Sequence, residues 1–462
     1  MNILLVTIDS LRADRVRSGD GLTPCINAVA EEGIEFQQAI THGHGTPVAF
    51  PAILSGTYPM LYGGCSQLSP KRPILARSLS DAGYETAAFT SNPHLFDKYG
   101  YEVGFDEFNQ YQKTGKEDEG NSHHSVLEQV RLSVQSHIDD SSRIYDLARQ
   151  IYYFLLTATD ERPYAPADEI NQYVLDWLDD RESETPFFAW VHHMDSHYPF
   201  YQDDETLSAI GAESISTREQ RRVNRLMNEN PERLSDNDVE VLTTLYDAET
   251  YFVDQELGRL LDGLDERGLR DDTLVVVTSD HGEAFGEHGD FGHYKALYEE
   301  LVRVPLVIDP PKKTTATVKQ QVGLADLAPT FLEYAGVDTS TEGPFSGESL
   351  WPLIENGRSG SRDERHVVGH GDPLGVRTTK WKYIWWDRDG DEPLDAELFD
   401  LETDPDETTD VSDEYPELIA GFDDYLSDHI READATADAL ADDAAPDIEQ
   451  TTKDQLEALG YK

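Results

Sequence analysis

The sequence predicts an α/β fold, a mixed sheet flanked by helices, followed by a smaller antiparallel α+β subdomain at the C-terminal end. Three observations lead there. Short apolar runs alternate with amphipathic stretches over residues 1–345, short aromatic strands broken by turn signals follow from about Gly347, and 462 residues exceed one small core.

The first run, Ile3 to Ile8, is continuous in the way of a strand buried on both faces, and it closes at Asp9. Similar runs stand at Thr86 to Phe89, Phe187 to Val191, Leu274 to Thr278 and Val304 to Ile308. Ligands of such sheets bind beyond the carboxyl ends of the strands, where Asp9 and Asp280 fall. Between the strands, the spacing of Leu242, Leu245, Tyr246, Val253, Leu257, Leu260, Leu261 and Leu264 predicts a helix over 238–264, capped by Ser235 or Asp236. Ile170, Tyr173, Val174, Trp177 and Leu178 predict another ahead of the Phe187 strand. Residues 201–232 are polar and without period, which reads as an irregular insertion or lid.

Beyond residue 345 come Trp381-Lys-Tyr-Ile-Trp-Trp386 and Glu397-Leu-Phe-Asp400 with Asp-Gly and Asp-Pro turns, giving a small subdomain over 346–430. The Ala/Asp-rich remainder, 431–462, has too little apolar surface to fold alone and reads as an acidic tail.

The formal net charge is -54, from 91 acidic and 37 basic residues, a field that repels nucleic acid and anionic membrane surfaces. Acid spread along the whole chain suits a salt-loaded cytosol, where screening removes most of the self-repulsion, so a halophilic, cytoplasmic protein is expected. The N-terminal apolar run lacks a basic region or cleavage site and is too short for a membrane span, as is Ile151 to Leu156. No membrane insertion is expected. Cys25 and Cys65 alone give neither a disulfide framework nor a cysteine zinc site.

Three segments carry chemistry: Thr7-Ile-Asp-Ser-Leu-Arg-Ala-Asp14, Thr46-Pro-Val-Ala-Phe-Pro-Ala-Ile-Leu-Ser-Gly56 and Val277-Thr-Ser-Asp-His-Gly-Glu-Ala-Phe-Gly-Glu-His288. With Met194-Asp-Ser-His-Tyr-Pro-Phe200, Leu297-Tyr-Glu-Glu-Leu-Val-Arg-Val-Pro305 and Glu397-Leu-Phe-Asp-Leu-Glu-Thr-Asp-Pro405, they resemble, in order, the sulfatase family of the alkaline phosphatase superfamily. The resemblance implies an alkaline phosphatase-like fold and one divalent cation held by Asp9, Asp280 and His281. Such an ion neutralises an anionic ester and activates a hydroxyl at once. Oxygen ligands favour Ca or Mg and the histidine leans to Mn or Zn, which leaves the ion open. Taken alone, Asp9-Ser10 also reads as a helix cap. Most sulfatases carry a second Asp where Ser10 stands; Asp9-Ser-Leu-Arg-Ala-Asp14 instead resembles the phosphonate monoester hydrolase branch. Arg12 and Asp14 read equally as a surface ion pair or as part of the site.

Sulfatases take their nucleophile from Cys-x-Pro-x-Arg, with the cysteine oxidised to formylglycine. Counting back from Gly56 puts Thr46 at that cysteine and Phe50 at the arginine, with Pro47 one place early. A metal-activated threonine hydroxyl can attack in line and form a covalent ester that water then cleaves. It lacks the second hydroxyl by which the formylglycine hydrate expels sulfate, so phosphoester cleavage gains. Cys65 lacks the accompanying proline and arginine and reads as a buried thiol. The resemblance makes His197 a general acid and places His293, with Lys295 as a looser match, on the substrate anion. His192, His193, His288, His123 and His124 read as structural.

The expectation is a metal-dependent hydrolase acting on a small-molecule or glycan anionic ester, phosphoester or sulfate ester, with Thr46 as nucleophile. The alternatives are a formylglycine-independent sulfuric ester hydrolase, a phosphoryl-group transferase, or a non-catalytic anion- or glycan-binding relative.

Overall fold

A computed structural model describes residues 1–16, 21–111, 162, 164–181, 184–341, 343–356 and 365–438. Its centre is an eight-stranded mixed sheet built from β1 (Asn2–Ile8), β2 (Ile34–Phe36), β3 (Glu85–Thr90), β4 (Glu107–Gln110), β5 (Phe187–His193), β6 (Thr273–Ser279), β7 (Leu306–Asp309) and β8 (Ala316–Val318). The order is β8-β2-β7-β6-β1-β5-β3-β4, with β7 antiparallel to both of its neighbours and every other pair parallel. Every residue of β1, β5 and β6 is buried, which is why these strands read as unbroken apolar runs.

Alternate residues serve two cores. Ile3, Leu5, Phe188, Trp190, Leu274 and Val276 face the layer holding α2 (Thr46–Ser55), α3 (Leu75–Asp81) and α7 (Leu327–Tyr334). Leu4, Val6, Ala189, Val191, Val275 and Val277 face α1 (Pro24–Glu32), α4 (Ala167–Asp180) and α6 (Asp236–Glu266). A one-residue slip would exchange the faces, so both cores fix the register. The helix expected over 238–264 runs two residues further at each end; its start is fixed by a capping box of Ser235 and Asp238, each side chain bonding the other's backbone N–H.

Residues 201–232 are not irregular. They fold into helices Asp204–Ala209 and α5 (Thr217–Glu229), the latter burying Val223 and Met227 against Leu242, Leu245 and Tyr246. Its few apolar anchors sit among arginines and glutamates, which hid the helical period.

The C-terminal subdomain is an antiparallel sheet of β9 (His366–Gly369), β10 (Leu374–Arg377), β11 (Trp381–Asp389) and β12 (Glu392–Asp400), covered by α8 (Pro416–Asp438). Leu350, Leu353 and Ile354 belong to the core of the large sheet, so residues just past 345 pack with the main layer. Helix α8 continues beyond 431, where the acidic tail was expected to begin, because Phe422, Leu426, Ile430 and Ala433 form one stripe against Val376, Tyr383, Trp385 and Leu398. Among the described residues no helix is long and apolar enough to cross a membrane. Cys25 and Cys65 are both free. The run Ile151 to Leu156 lies outside the described residues.

Candidate metal centre and active site

Strands β1 and β6 are in register at Ile8 and Ser279, so Asp9 and Asp280 leave adjacent strands at the same level. Both are fully buried, as are Ser10 and His281. Ser10 adopts a left-handed backbone (φ 58), a conformation that costs a non-glycine residue of order 1 kcal/mol. It is held there because its N–H donates to Asp280 Oδ1 at 3.2 Å and its hydroxyl to Asp9 Oδ1 at 2.9 Å. Ser10 thus orients both carboxylates from the position where most sulfatases have a further Asp.

The His281 Nδ1 donates to the Gly282 carbonyl at 2.8 Å, which leaves the Nε2 lone pair facing inward, 3.6 Å from both Asp9 Oδ1 and Asp280 Oδ2. One ligand atom from each of Asp9, Asp280 and His281 lies within 4.8 Å of the others. Two carboxylates and an imidazole lone pair converge here with no lysine or arginine among the described residues paired to them, and the donor set fits a divalent cation. Burial, reinforced by the Asp9 charge, pushes the Asp280 carboxyl far above the usual range. Burial also resists ionisation of Asp9, but His197, His192 and His281 around it outweigh that and hold its pKa low.

Thr46 is the first residue of α2, and its hydroxyl donates to Asp9 Oδ2 at 3.3 Å and lies 3.4 Å from His281 Nε2. The helix N-terminus adds positive potential at this hydroxyl. Phe50, at the arginine position, is buried against Trp190 and edge-on to His192, with ring centroids 5.3 and 5.1 Å apart, so it supplies core and no charge.

Asn92, which the sequence did not single out, donates from Nδ2 to Asp9 Oδ2 at 2.9 Å and to Thr46 Oγ1 at 3.4 Å. The available signal was its place two residues past the end of β3, in Ser-Asn-Pro. His192, expected to be structural, touches the site: its Nε2 is 3.2 Å from Asp9 Oδ2 and its Nδ1 2.9 Å from Thr7 Oγ1. It positions Asp9.

His197 is buried, with Nδ1 donating to the Tyr198 carbonyl at 2.5 Å, and its ring centroid is 5.0 Å from that of His293. The His293 ring is also 5.0 Å from that of His281, and its Nδ1 is 3.4 Å from Glu283 Oε2. Burial presses the pKa of both rings down; for His197 that is the stronger effect, whereas for His293 the hydrogen bond and charge of Glu283 outweigh it and raise the pKa. Glu283 lies three residues past Asp280 in the same motif, and only its contact with His293 gives it a role. Lys295 is exposed and outside the ligand set.

The remaining residues divide simply. Arg12 is no surface pair: it is 8% exposed, bidentate to Asp14, and bonded to Glu287 and the Glu283 carbonyl, which ties the loop after β1 to the loop after β6. His193 bonds Asn171 Oδ1 at 2.9 Å and His288 stacks on Tyr298 with centroids 3.6 Å apart, both structural contacts. Burial pushes the Cys65 thiol up to about 11, which keeps it protonated. His123 and His124 lie outside the described residues.

Residues 1–337 match the sulfatase family, and residues 286–432 match the family described as N-sulphoglucosamine sulphohydrolase, C-terminal. Arylsulfatase K of Rattus norvegicus is 33% identical over 210 residues, covering 42% of this chain and 36% of that protein, so the match spans about a third of that relative. An arylsulfatase of Clostridium perfringens is 25% identical over 482 residues, 92% of each chain. The crystal structure of the phosphonate monoester hydrolase of Agrobacterium radiobacter superposes with a TM-score of 0.68 at 20% identity, covering 94% of this chain and 96% of that one. With a sulfatase match from residue 1 to 337 and the same mixed sheet beneath it, the chain belongs to the sulfatase family.

Proposed function

We propose that the protein is a metal-dependent hydrolase of sulfatase type that cleaves an anionic ester, with Thr46 as nucleophile and Asp9, Asp280 and His281 as metal ligands. The observation that carries this reading is the Thr46 hydroxyl, 3.3 Å from Asp9 Oδ2 and 3.4 Å from His281 Nε2, at the edge of the buried ligand set. A bound divalent cation supplies charge neutralisation at the ester and lowers the pKa of a nearby hydroxyl. With the cation held by Asp9, Asp280 and His281, Thr46 Oγ1 would release its proton and bond to the ester's phosphorus or sulfur as that atom's bond to the leaving oxygen breaks. Asn92 Nδ2 and the α2 N-terminus stabilise the charge that grows there.

Glu283 holds the proton on His293, whose ring centroid stands 5.0 Å from that of His197. In the first half-reaction the pair protonates the leaving oxygen; in the second it recovers a proton from the attacking water, whose oxygen bonds to the phosphorus or sulfur as the bond to Thr46 Oγ1 breaks and that oxygen regains its proton. Because a threonine ester has no second hydroxyl to drive elimination, hydrolysis favours phosphorus esters over sulfate esters. The acidic composition further suggests that the enzyme works in a salt-rich cytoplasm.

The test is turnover of matched nitrophenyl sulfate, phosphate monoester, phosphodiester and phosphonate esters in multimolar KCl, with each of Mn²⁺, Zn²⁺, Mg²⁺ and Ca²⁺. Metal-dependent cleavage of the phosphorus esters that Thr46→Ala abolishes supports the reading; cleavage unchanged in Thr46→Ala overturns it.

A further inference from the structure

From Ser10 to Arg12 the loop after β1 has three consecutive backbone N–H groups, and each is received by a side chain from a distant segment. The Ser10 N–H goes to Asp280 Oδ1 at 3.2 Å, the Leu11 N–H to Ser279 Oγ at 2.8 Å and the Arg12 N–H to the Tyr246 hydroxyl at 2.9 Å. Tyr246 gives its own hydrogen to the Ser10 carbonyl at 2.8 Å. One phenol oxygen therefore stands between the Ser10 carbonyl and the Arg12 N–H, the two groups that a three-residue turn would join directly.

Tyr246 belongs to α6, stands 236 residues from Ser10 in sequence and is fully buried. Its ring is edge-on to that of Phe200, with centroids 5.6 Å apart, and 5.1 Å from that of Phe285 in the loop after β6, so packing on two sides fixes where the hydroxyl lies. Burial pushes the phenol pKa up, which keeps the hydrogen that the Ser10 carbonyl accepts. Ser10 has φ 58, a conformation that a residue with a side chain leaves unless its surroundings hold it. In that conformation its N–H meets Asp280, and its hydroxyl meets Asp9 Oδ1 at 2.9 Å.

We propose that Tyr246 is a positioning residue whose hydroxyl clamps Ser10 in the left-handed conformation and so presets Asp9 and Asp280 for the cation. This rests on the reading of Asp9, Asp280 and His281 as metal ligands. Without the hydroxyl, the buried Ser10 carbonyl and Arg12 N–H lose the partner they share, and Ser10 relaxes into an ordinary region of the backbone map. Cation binding must then drive it back, and the apparent affinity falls with the fraction of molecules still preset. A tyrosine that served packing alone would act on stability, with no dependence on which residue stands at position 10.

The experiment titrates Mn²⁺ by calorimetry into the chelator-treated full chain, as wild type, Tyr246→Phe, Ser10→Gly, Ser10→Ala and the two double variants. Tyr246→Phe keeps the ring and its packing and should bind Mn²⁺ about tenfold more weakly than wild type, within the range for groups that orient metal ligands. Glycine takes positive φ without strain, so in Ser10→Gly the same change should cost about twofold or less. Alanine keeps the strain and, like glycine, lacks the hydroxyl, so in Ser10→Ala the cost should return to about tenfold. Equal Mn²⁺ affinity in wild type and Tyr246→Phe, or an equal loss in the glycine and alanine backgrounds, overturns the clamp. Should Tyr246→Phe not fold, amide exchange on the wild type decides: the Arg12 N–H should be equally protected with and without Mn²⁺, and protection gained only with Mn²⁺ overturns a preset clamp. Failure of the metal-centre reading looks different. Mn²⁺ binding that is absent from wild type, or undiminished in Asp280→Ala, rejects that reading and the clamp with it; binding that Asp280→Ala abolishes and Tyr246→Phe leaves intact rejects the clamp alone.

Discussion

Buried charge occurs in this molecule in two forms, and their difference separates architecture from chemistry. At the junction of the large sheet with the C-terminal subdomain, Lys382 Nζ lies 2.8 Å from both Glu299 Oε1 and Glu407 Oε1, and Arg377 Nη2 lies 2.9 Å from Glu299 Oε2. Two cations face two anions, and the group closes on itself. At the ends of β1 and β6, Asp9 and Asp280 are fully buried, yet no lysine or arginine among the described residues pairs with them. A buried carboxylate whose counter-charge is in the chain fixes the fold; one whose counter-charge is missing asks for an ion from outside.

The contrast is broken most decisively at the second cluster. Asp280→Ala should lower turnover by about three orders of magnitude or more, the scale of losing a main electrostatic element of a site. Adding the active divalent ion should raise the wild-type Tm, by about 3–4 kcal/mol of stabilisation at hundreds of times the Kd, and chelator should reverse it. In Asp280→Ala, scanning calorimetry should find both shifts gone. A shift that persists would place the ion elsewhere.

The junction should respond in stability instead. Lys382→Met leaves Glu299 and Glu407 facing each other in a buried space and should cost about 3–5 kcal/mol in urea unfolding. A loss below about 1 kcal/mol would put the network in the class of solvent-exposed pairs and remove the basis of the comparison.

A third cluster lies between these two cases and shows itself through pH. Asp195 and Glu249 share the single Arg162. Burial pushes Glu249 up to about 8 from about 4.5, against the opposing pull of Arg162. A raised carboxyl binds its proton more tightly in the folded state, so its contribution is fully present below about pH 4.5 and is lost as pH rises through about 8. The wild-type urea midpoint should therefore fall over that window, and Glu249→Gln should flatten the fall. An identical pH profile in the variant would mean that Glu249 is ionised throughout.

What the sequence could disclose follows from the same physics. Strands β1, β5 and β6 were legible because burial on both faces writes an unbroken apolar run, and Asp9, Thr46, Asp280 and His281 because they sit in local motifs. Strand β4, with the polar sequence Glu-Phe-Asn-Gln at the sheet's edge, and the three-residue β2 and β8 carry too little pattern to read. Helix α5 hid its period among charges, and α8 outran its expected end because a small residue, Ala433, can be buried without looking apolar in an Asp-rich stretch. Asn92 and His192 escaped for another reason: each gains its role only from contacts made across the sheet ends, 83 and 183 residues from Asp9, while Glu283 gains its role from packing against His293 in the same loop. The exposure of Lys295 and the burial of Arg12 were equally matters of packing.

The most direct measurement is the mass of the peptide containing Thr46 after acid quench of the metal-loaded enzyme during turnover of a nitrophenyl phosphodiester. A phosphoryl-ester adduct on Thr46 that forms with the ion and is absent with chelator is the result expected of a threonine nucleophile beside Asp9, Asp280 and His281. Sustained turnover with Thr46 unmodified at every quench time, and undiminished in Thr46→Ala, would contradict it.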